Sequence, residues 1–308
     1  MITTVTLNAA MDVTYTVDRV APGASHRVAD VRRRAGGKGI NVARVLAALG
    51  RPAVVTGLAG GPVGAAVRRD LAESGLRDDL VETAGNSRQS ITVVERERDD
   101  ATVLLEPGPR VTDAEWDAFT TVYRRLLDES RVVVLSGSLP PGLHEDAFAQ
   151  LVAAAHERHV PVVLDTSGAA LLKALPAGPA LVKPNADELR ETLGTDDAAA
   201  GARTLLRAGA QAVVVSLGAD GMLALTPDGG WHARPPYRVK GNPTGAGDAA
   251  VAALAAGLAG HTPWPDRLRH AVAVSAAAVR APIAGAFDAP MYHELLALVE
   301  VAPLDTRP

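Results

Sequence analysis

The chain has 308 residues, 47% of them hydrophobic, and its 31 Lys plus Arg against 35 Asp plus Glu give a formal net charge of −4. That length can bury a large core, while the negative balance argues against broad nucleic-acid affinity, which rests on basic surface neutralising phosphates. The absence of cysteine excludes a disulfide framework, thiol catalysis and thiolate metal ligation and fits a reducing cytoplasm, and neither a leader pattern nor an apolar run long enough to span a bilayer is present.

In chain order, residues 1–7 read as a first strand, rich in β-branched side chains. Asp12 is expected just past its end, where ligands of open α/β sheets bind. Residues 13–34, broken by Pro22-Gly23 and rich in Val, Thr, Tyr and charge, predict short antiparallel strands standing off the main body. Ala35-Gly-Gly-Lys-Gly39 then opens a helix over 40–49 with Val42, Val45, Leu46 and Leu49 on one face. Gly36 and Gly37 permit close backbone approach, Lys38 adds a cation, and Asn41 lies one turn in; the spacing is not that of a P-loop. A strand at 53–58, a helix at 64–74 and a short strand at 80–81 follow. Residues 87–95 and 101–105 form a second strand pair around the charged turn 96–100. The segments 13–34 and 88–105 are expected to pair as a small lid.

Beyond Pro107-Gly108 the alternation becomes regular. Helices at 113–128, 145–158, 169–174, 186–193 and 198–208 separate strands at 132–135, 160–165, 180–183 and 212–217, which means βαβ units and a mainly parallel sheet covered on both faces. Residues 221–225 and 230–239 predict an antiparallel extension, and helices starting near 246, at 267–280 and at 290–299 complete the chain.

The chemistry concentrates in Gly241-Asn-Pro-Thr-Gly-Ala-Gly-Asp248, where a glycine-bearing turn feeds an Ala-rich helix. Unpaired N–H groups at a helix start, approached closely because glycine has no side chain, favour a phosphate or a developing negative charge. Asp248 sits in that turn, either as a catalytic carboxylate or as a first-turn charge offsetting the helix dipole. Lys183-Pro-Asn-Ala-Asp-Glu-Leu189 places Asn185 and Glu188 on one face of a helix start, where they can cap the helix or orient water around Mg²⁺. Ser216-Leu-Gly-Ala-Asp-Gly221 is a glycine-bearing strand exit that can lie under a nucleotide or simply turn the chain. The eight His form no metal-ligand spacing with carboxylates and no Gly-x-Ser-x-Gly is present, so zinc and serine hydrolase chemistries lack support.

As an ordered set, Thr6-Leu-Asn-Ala-Ala-Met-Asp12, Gly36-Gly-Lys-Gly-Ile-Asn-Val-Ala-Arg44, Ser136-Gly-Ser-Leu-Pro-Pro-Gly142, Lys183 to Leu189 and Asn242-Pro-Thr-Gly-Ala-Gly-Asp248 resemble the ribokinase-like (PfkB) carbohydrate kinases over nearly the whole chain. The first three look most like the branch of 1-phosphofructokinases and tagatose-6-phosphate kinases, although Ala9 stands where that motif usually carries Pro. The resemblance implies one domain over 1–308, a three-layer α/β/α sandwich with a β-sheet lid, ATP as donor, Mg²⁺ as counterion and Asp248 as base. An anion hole at Gly245, Ala246 and Gly247 would face the transferring phosphate. Asp12, Gly36, Gly37 and Asn41 would hold sugar hydroxyls, and Lys38, Arg27, Arg88 and Ser138 the phosphate already on the sugar. Lys183, Asn185, Ser216, Gly218, Gly221 and Thr244 would hold the nucleotide, with Asn185 and Glu188 reaching Mg²⁺ through water. An apolar face on such a lid predicts a homodimer formed through it. A kinase for an unphosphorylated sugar or nucleoside and a non-catalytic sensor remain alternatives at this level.

Overall fold

The computed structural model describes residues 1–28, 30–98 and 100–304; Ala29 in the expected 13–34 segment, Asp99 in the charged turn and the last four residues lie outside the described residues. The chain runs β1 (Ile2–Thr6), β2 (Ala10–Val17), β3 (Asp30–Gly36), α1 (Lys38–Ala48), β4 (Ala53–Gly60), α2 (Gly61–Glu73), β5 (Arg77–Thr83), β6 (Arg88–Glu95), β7 (Asp100–Leu105), α3 (Asp113–Leu127), β8 (Val132–Ser136) and α4 (Ala147–His156). It continues β9 (Val162–Asp165), α5 (Gly168–Ala174), β10 (Leu181–Val182), α6 (Ala186–Leu193), α7 (Ala198–Arg207), β11 (Val213–Ser216), β12 (Met222–Thr226), β13 (Gly229–Arg234), α8 (Ala246–Ala259), α9 (Trp264–Ala278), α10 (Ala289–Leu298) and β14 (Glu300–Leu304).

Ten strands form one sheet in the order β14-β13-β12-β11-β10-β9-β8-β1-β4-β5. From β11 to β5 every pairing is parallel, and the β12, β13 and β14 edge is antiparallel. Strand alternation sorts the core onto two faces. Val132 and Val134 pack with Val42, Leu46, Leu254 and Val272 of α1, α8 and α9, whereas Val133 and Leu135 pack with Phe119, Tyr123, Phe148 and Leu205 of α3, α4 and α7. The Ala-rich face of α8 lets that helix lie close to its neighbours. This three-layer body carries the sequence motifs at the carboxyl ends of its parallel strands, the edge where open α/β sheets bind ligands.

A second, four-stranded sheet in the order β3-β2-β6-β7 stands apart, joined by a parallel β2–β6 pair. Met11, Val13 and Ala35 cover Val67 and Leu71 of α2 and fix the lid's seat. At its far edge β7 leaves Val103, Leu104 and Leu105 exposed.

Several expectations are corrected. Asp12 is the third residue of β2, inside the lid, and not in a loop after β1. β5 has seven residues where two were expected, its charged start suiting a sheet edge beside solvent. β10 shrinks to two residues between Pro179 and Pro184, β13 stops at Arg234, and β14 was not anticipated. Pro303 in β14 is tolerable because that strand is an edge.

Candidate active site

The helix α8 opens at Gly245, whose φ is +86°, and a side chain there would come within 2.8 Å of the Ala284 Cα. Only glycine suits that position. Within the turn Ala246 donates its N–H to the Pro243 carbonyl at 3.1 Å, so this group is turned inward, and Thr244 donates its N–H to Asn242 Oδ1 at 3.0 Å. Asp248, in the first turn, is buried and accepts a hydrogen bond from Asn41 Nδ2 at 2.8 Å. Burial, reinforced by the charge of Asp165, pushes its carboxyl up to about 7 against the opposing pull of Lys38, Asn41 and Lys183.

A buried ion cluster lies beside it. Asp165, at the end of β9, meets Lys38 Nζ at 3.3 Å and Lys183 Nζ at 3.2 Å and accepts from Ser136 Oγ at 2.9 Å. Burial alone would raise this carboxyl, but Lys183 and Lys38 outweigh it and hold it down to about 2. Asp165, foremost, raises the Lys38 ammonium above its ordinary range, so Lys38 is a committed cation; its Nζ also lies 3.6 Å from Glu188 Oε1. Lys183 reaches the start of α8, where a Cβ on Gly247 would sit 3.6 Å from its Nζ. Asp165 is the member that the motif reading missed. Its signal was available: a carboxylate ending a buried run, Val162-Val-Leu-Asp165, at the ligand-binding edge.

The lid contributes the other half. A Cβ on Gly36 would fall 2.1 Å from Asp12 Oδ2, so glycine there is what leaves room for the carboxylate. Burial raises Asp12 to about 6 despite Arg88, Arg44 and Arg34 nearby. Gly37, with φ of +104°, packs on Thr6. Arg88 opens β6 and donates to the Asn8 carbonyl at 3.2 Å and the Glu106 carbonyl at 3.3 Å. Ser138 Oγ accepts from Asn8 Nδ2 at 3.2 Å. Thr6, Asn8, Lys38, Arg88, Ser138 and Glu188 line one cavity of about 520 Å³. Arg27 is exposed on the β2–β3 connection and is not among the residues lining it. A larger hollow of about 730 Å³ lies at the opposite, amino-terminal end of β8 and β9 and holds none of the motifs.

On the side expected for the nucleotide, Asn185 and Glu188 form a reciprocal capping box, Glu188 N to Asn185 Oδ1 at 2.7 Å and Asn185 N to Glu188 Oε2 at 2.8 Å. Ser216 bridges to Asn185 on the neighbouring strand exit. Gly218, at φ +61°, has open space where a side chain would stand, while Gly221 is required by the fold itself, since a Cβ there would meet the Ala233 carbonyl oxygen at 2.0 Å. Among the described residues no cluster of three or more His, Asp or Glu could hold a metal directly. Mg²⁺ held through water needs few protein oxygens, and Glu188 is the carboxylate at this strand exit, with Oε1 3.6 Å from Lys38 Nζ and Oε2 accepting from the Asn185 N–H.

The sequence profile of the pfkB family of carbohydrate kinases matches residues 4–290. The chain belongs to that family. It is therefore a sugar kinase. A 1-phosphofructokinase of Xanthomonas campestris pv. campestris is 42% identical over 264 residues, covering 83% of each chain. Structures of Escherichia coli phosphofructokinase-2, one in complex with fructose-6-phosphate and one a tetrameric inhibited form, each superpose with a TM-score of 0.87 at 30% identity, covering 96% of this chain and 98% of theirs. An Arabidopsis thaliana ribokinase complexed with ribose and ATP, at 20% identity and a TM-score of 0.75 over 96% of this chain and 98% of its own, shows that the fold is ribokinase-like. No helix among the described residues is long and apolar enough to cross a membrane.

Proposed function

We propose that the protein transfers the γ-phosphoryl group of ATP to a hydroxyl of a ketohexose that already carries a phosphate, with fructose 1-phosphate favoured by the 42% identity to a 1-phosphofructokinase. The observation that carries the reading is the buried carboxyl of Asp248 in the first turn of a glycine-opened helix, held by Asn41 and pushed up to about 7. A base with that value exchanges a proton readily at neutral pH. Phosphoryl transfer demands positioning and charge stabilisation more than covalent help.

In this reading Asp248 takes the proton of the attacking hydroxyl. The first-turn N–H groups of Gly247 and Asp248, reachable because Gly245 and Gly247 lack side chains, receive the charge that develops on the transferring phosphoryl group. Ala246 contributes its place in the turn and not its N–H, which Pro243 occupies. Lys183 adds a buried positive charge beside the same helix start. Asp12, Gly36, Gly37 and Asn41 hold the sugar. Arg88 and Ser138 hold its phosphate, and Lys38, paired with Asp165, supplies positive field at the same cavity. Arg27 stays outside this arrangement. The nucleotide lies along Lys183, Asn185, Ser216, Gly218 and Thr244, with Gly221 shaping the strand exit behind it. Mg²⁺, when bound through water near Glu188 and Asn185, neutralises charge on the ATP phosphates.

Exposed Val103, Leu104 and Leu105 on the lid edge support a homodimer formed through the lids. ATP and sugar phosphates are charged metabolites that do not cross a bilayer unaided, so we place the reaction in the cytoplasm. The test is a coupled ADP-release assay with ATP and Mg²⁺ across fructose 1-phosphate, tagatose 6-phosphate, fructose 6-phosphate, free fructose and ribose. Turnover confined to the phosphorylated ketoses supports the reading. Preference for a free sugar overturns it.

A further inference from the structure

Asn8 is buried where the lid joins the body, at the end of β1 and just before β2. Its side chain ties together two segments far apart in sequence: Nδ2 donates to the Pro107 carbonyl at 3.1 Å and to Ser138 Oγ at 3.2 Å. Pro107 is on the loop leaving the lid after β7, and Ser138 is on the body loop after β8. A third segment arrives through the backbone, since the Asn8 carbonyl accepts from Arg88 Nε at 3.2 Å. The amide orientation is fixed by chemistry, because a peptide carbonyl only accepts and so the nitrogen must face Pro107. Oδ1 lies against Gly108, where φ is +91° and a Cβ would come 2.2 Å from that oxygen, so the exit loop wraps the carboxamide closely.

This arrangement sets the direction of a proton. A serine hydroxyl has one hydrogen to give and two lone pairs. Because Nδ2 can only donate, Ser138 receives at its oxygen and its own hydrogen is free to point into the cavity that Ser138 and Arg88 both line. We propose that Asn8 is a positioning residue for the substrate phosphate: it orients the Ser138 hydroxyl as a donor and anchors Arg88 beside it, so that both reach the same anion when the lid is in place. The assignment rests on the reading of the substrate as a phosphorylated ketose. Asparagine suits the position because aspartate, nearly the same shape, would instead accept the Ser138 hydrogen and turn that oxygen's lone pairs toward the phosphate.

The experiment is a double-mutant cycle on the full-length protein, Asn8→Ala, Ser138→Ala and both together, with kcat/KM measured for fructose 1-phosphate and for free fructose and with thermal melting of each variant. Ser138→Ala should lower kcat/KM for the phosphorylated sugar by about tenfold, the loss expected for a hydrogen bond to a charged group. Asn8→Ala should lower it by a similar factor, the pair should be within about twofold of Ser138→Ala alone, and free fructose should be little affected, since coupled residues are non-additive. Effects that multiply, or an equal loss for both sugars, would reduce Asn8 to a structural tie and overturn the proposal. If Asn8→Ala no longer melts cooperatively, Asn8→Asp carries the test: it should lower kcat/KM for the phosphorylated sugar at least as much, and adding Ser138→Ala should then cause no further loss. A further loss there overturns the proposal. A wild-type protein that turns over fructose 1-phosphate while the cycle is additive fails Asn8 alone; one with no preference for the phosphorylated sugar fails the substrate reading and the Asn8 assignment with it.

Discussion

Asn41 gives its carboxamide to Asp248 across 2.8 Å, so the first turn of α1 and the first turn of α8 meet at the carboxyl assigned as base. The contact couples the Gly36-Gly-Lys-Gly39 motif to the Gly245 turn, two stretches whose contacting residues are 207 positions apart in the chain yet form one site. Asp248→Asn should keep the fold and ATP binding while kcat falls by about 10²–10⁴-fold, the usual cost of removing a general base. Steady-state kinetics with ATP binding measured in parallel checks this, and near-normal kcat would return Asp248 to a helix-terminus charge.

The same carboxyl should leave a mark on stability. Its ordinary value of 3.8 rises to about 7 in the folded protein, so between those pH values the native state holds a proton that the unfolded chain has lost. Stability from this group is therefore present at low pH and declines as pH rises from 3.8 to about 7. Asp248→Asn removes that decline. The melting temperature of the variant relative to wild type should be higher at pH 8 than at pH 5, and a difference that does not change with pH would contradict the burial argument.

Asp165 answers two lysines at once, the buried Lys183 and the half-exposed Lys38, and its loss leaves Lys183 buried without its ion partner. Asp165→Ala should destabilise by about 3–5 kcal/mol, as breaking a buried pair typically does. Where Asp165→Asn remains folded, removing this like charge should also move the acid limb of the kcat profile to lower pH, because Asp165 helps to raise Asp248. Denaturant unfolding and a pH–rate profile test the two effects separately.

How far the sequence revealed this site depended on whether a residue's partner is local. The order of strands and helices was readable from alternation and breakers, and α6 begins and ends at the expected Ala186 and Leu193. Its capping box could be anticipated from Asn185 and Glu188 three apart. What the sequence hid were the long-range relations. The Lys38–Asp165–Lys183 cluster joins the start of α1, the end of β9 and the segment just past β10, and no spacing rule connects them. Arg27 looked equivalent to Arg88 because both carry a guanidinium on a lid segment, yet only Arg88, at a strand start beside Asn8, lines the cavity. β14 was obscured by Pro303, which argues against a central strand and is silent about an edge.

The lid edge gives a prediction about assembly. Val103, Leu104 and Leu105 lie exposed on β7. Light scattering should show a dimer at micromolar concentration, and Leu104→Glu with Leu105→Glu should yield a monomer. A wild-type monomer would contradict assembly through this surface.

The central claim is that the sugar already carries a phosphate and that Arg88 binds it. In Arg88→Ala, kcat/KM for fructose 1-phosphate should fall by about 1.5–3 kcal/mol in transition-state free energy, the value of a charge-assisted contact, while KM for ATP stays nearly constant. Free fructose never makes that contact. The measurement is the ratio of kcat/KM for phosphorylated over free ketohexose, which cancels general damage to the fold or to the helix start: it should drop by a factor of about ten or more in the variant, and an unchanged ratio would remove Arg88 from the site and contradict a phosphorylated substrate.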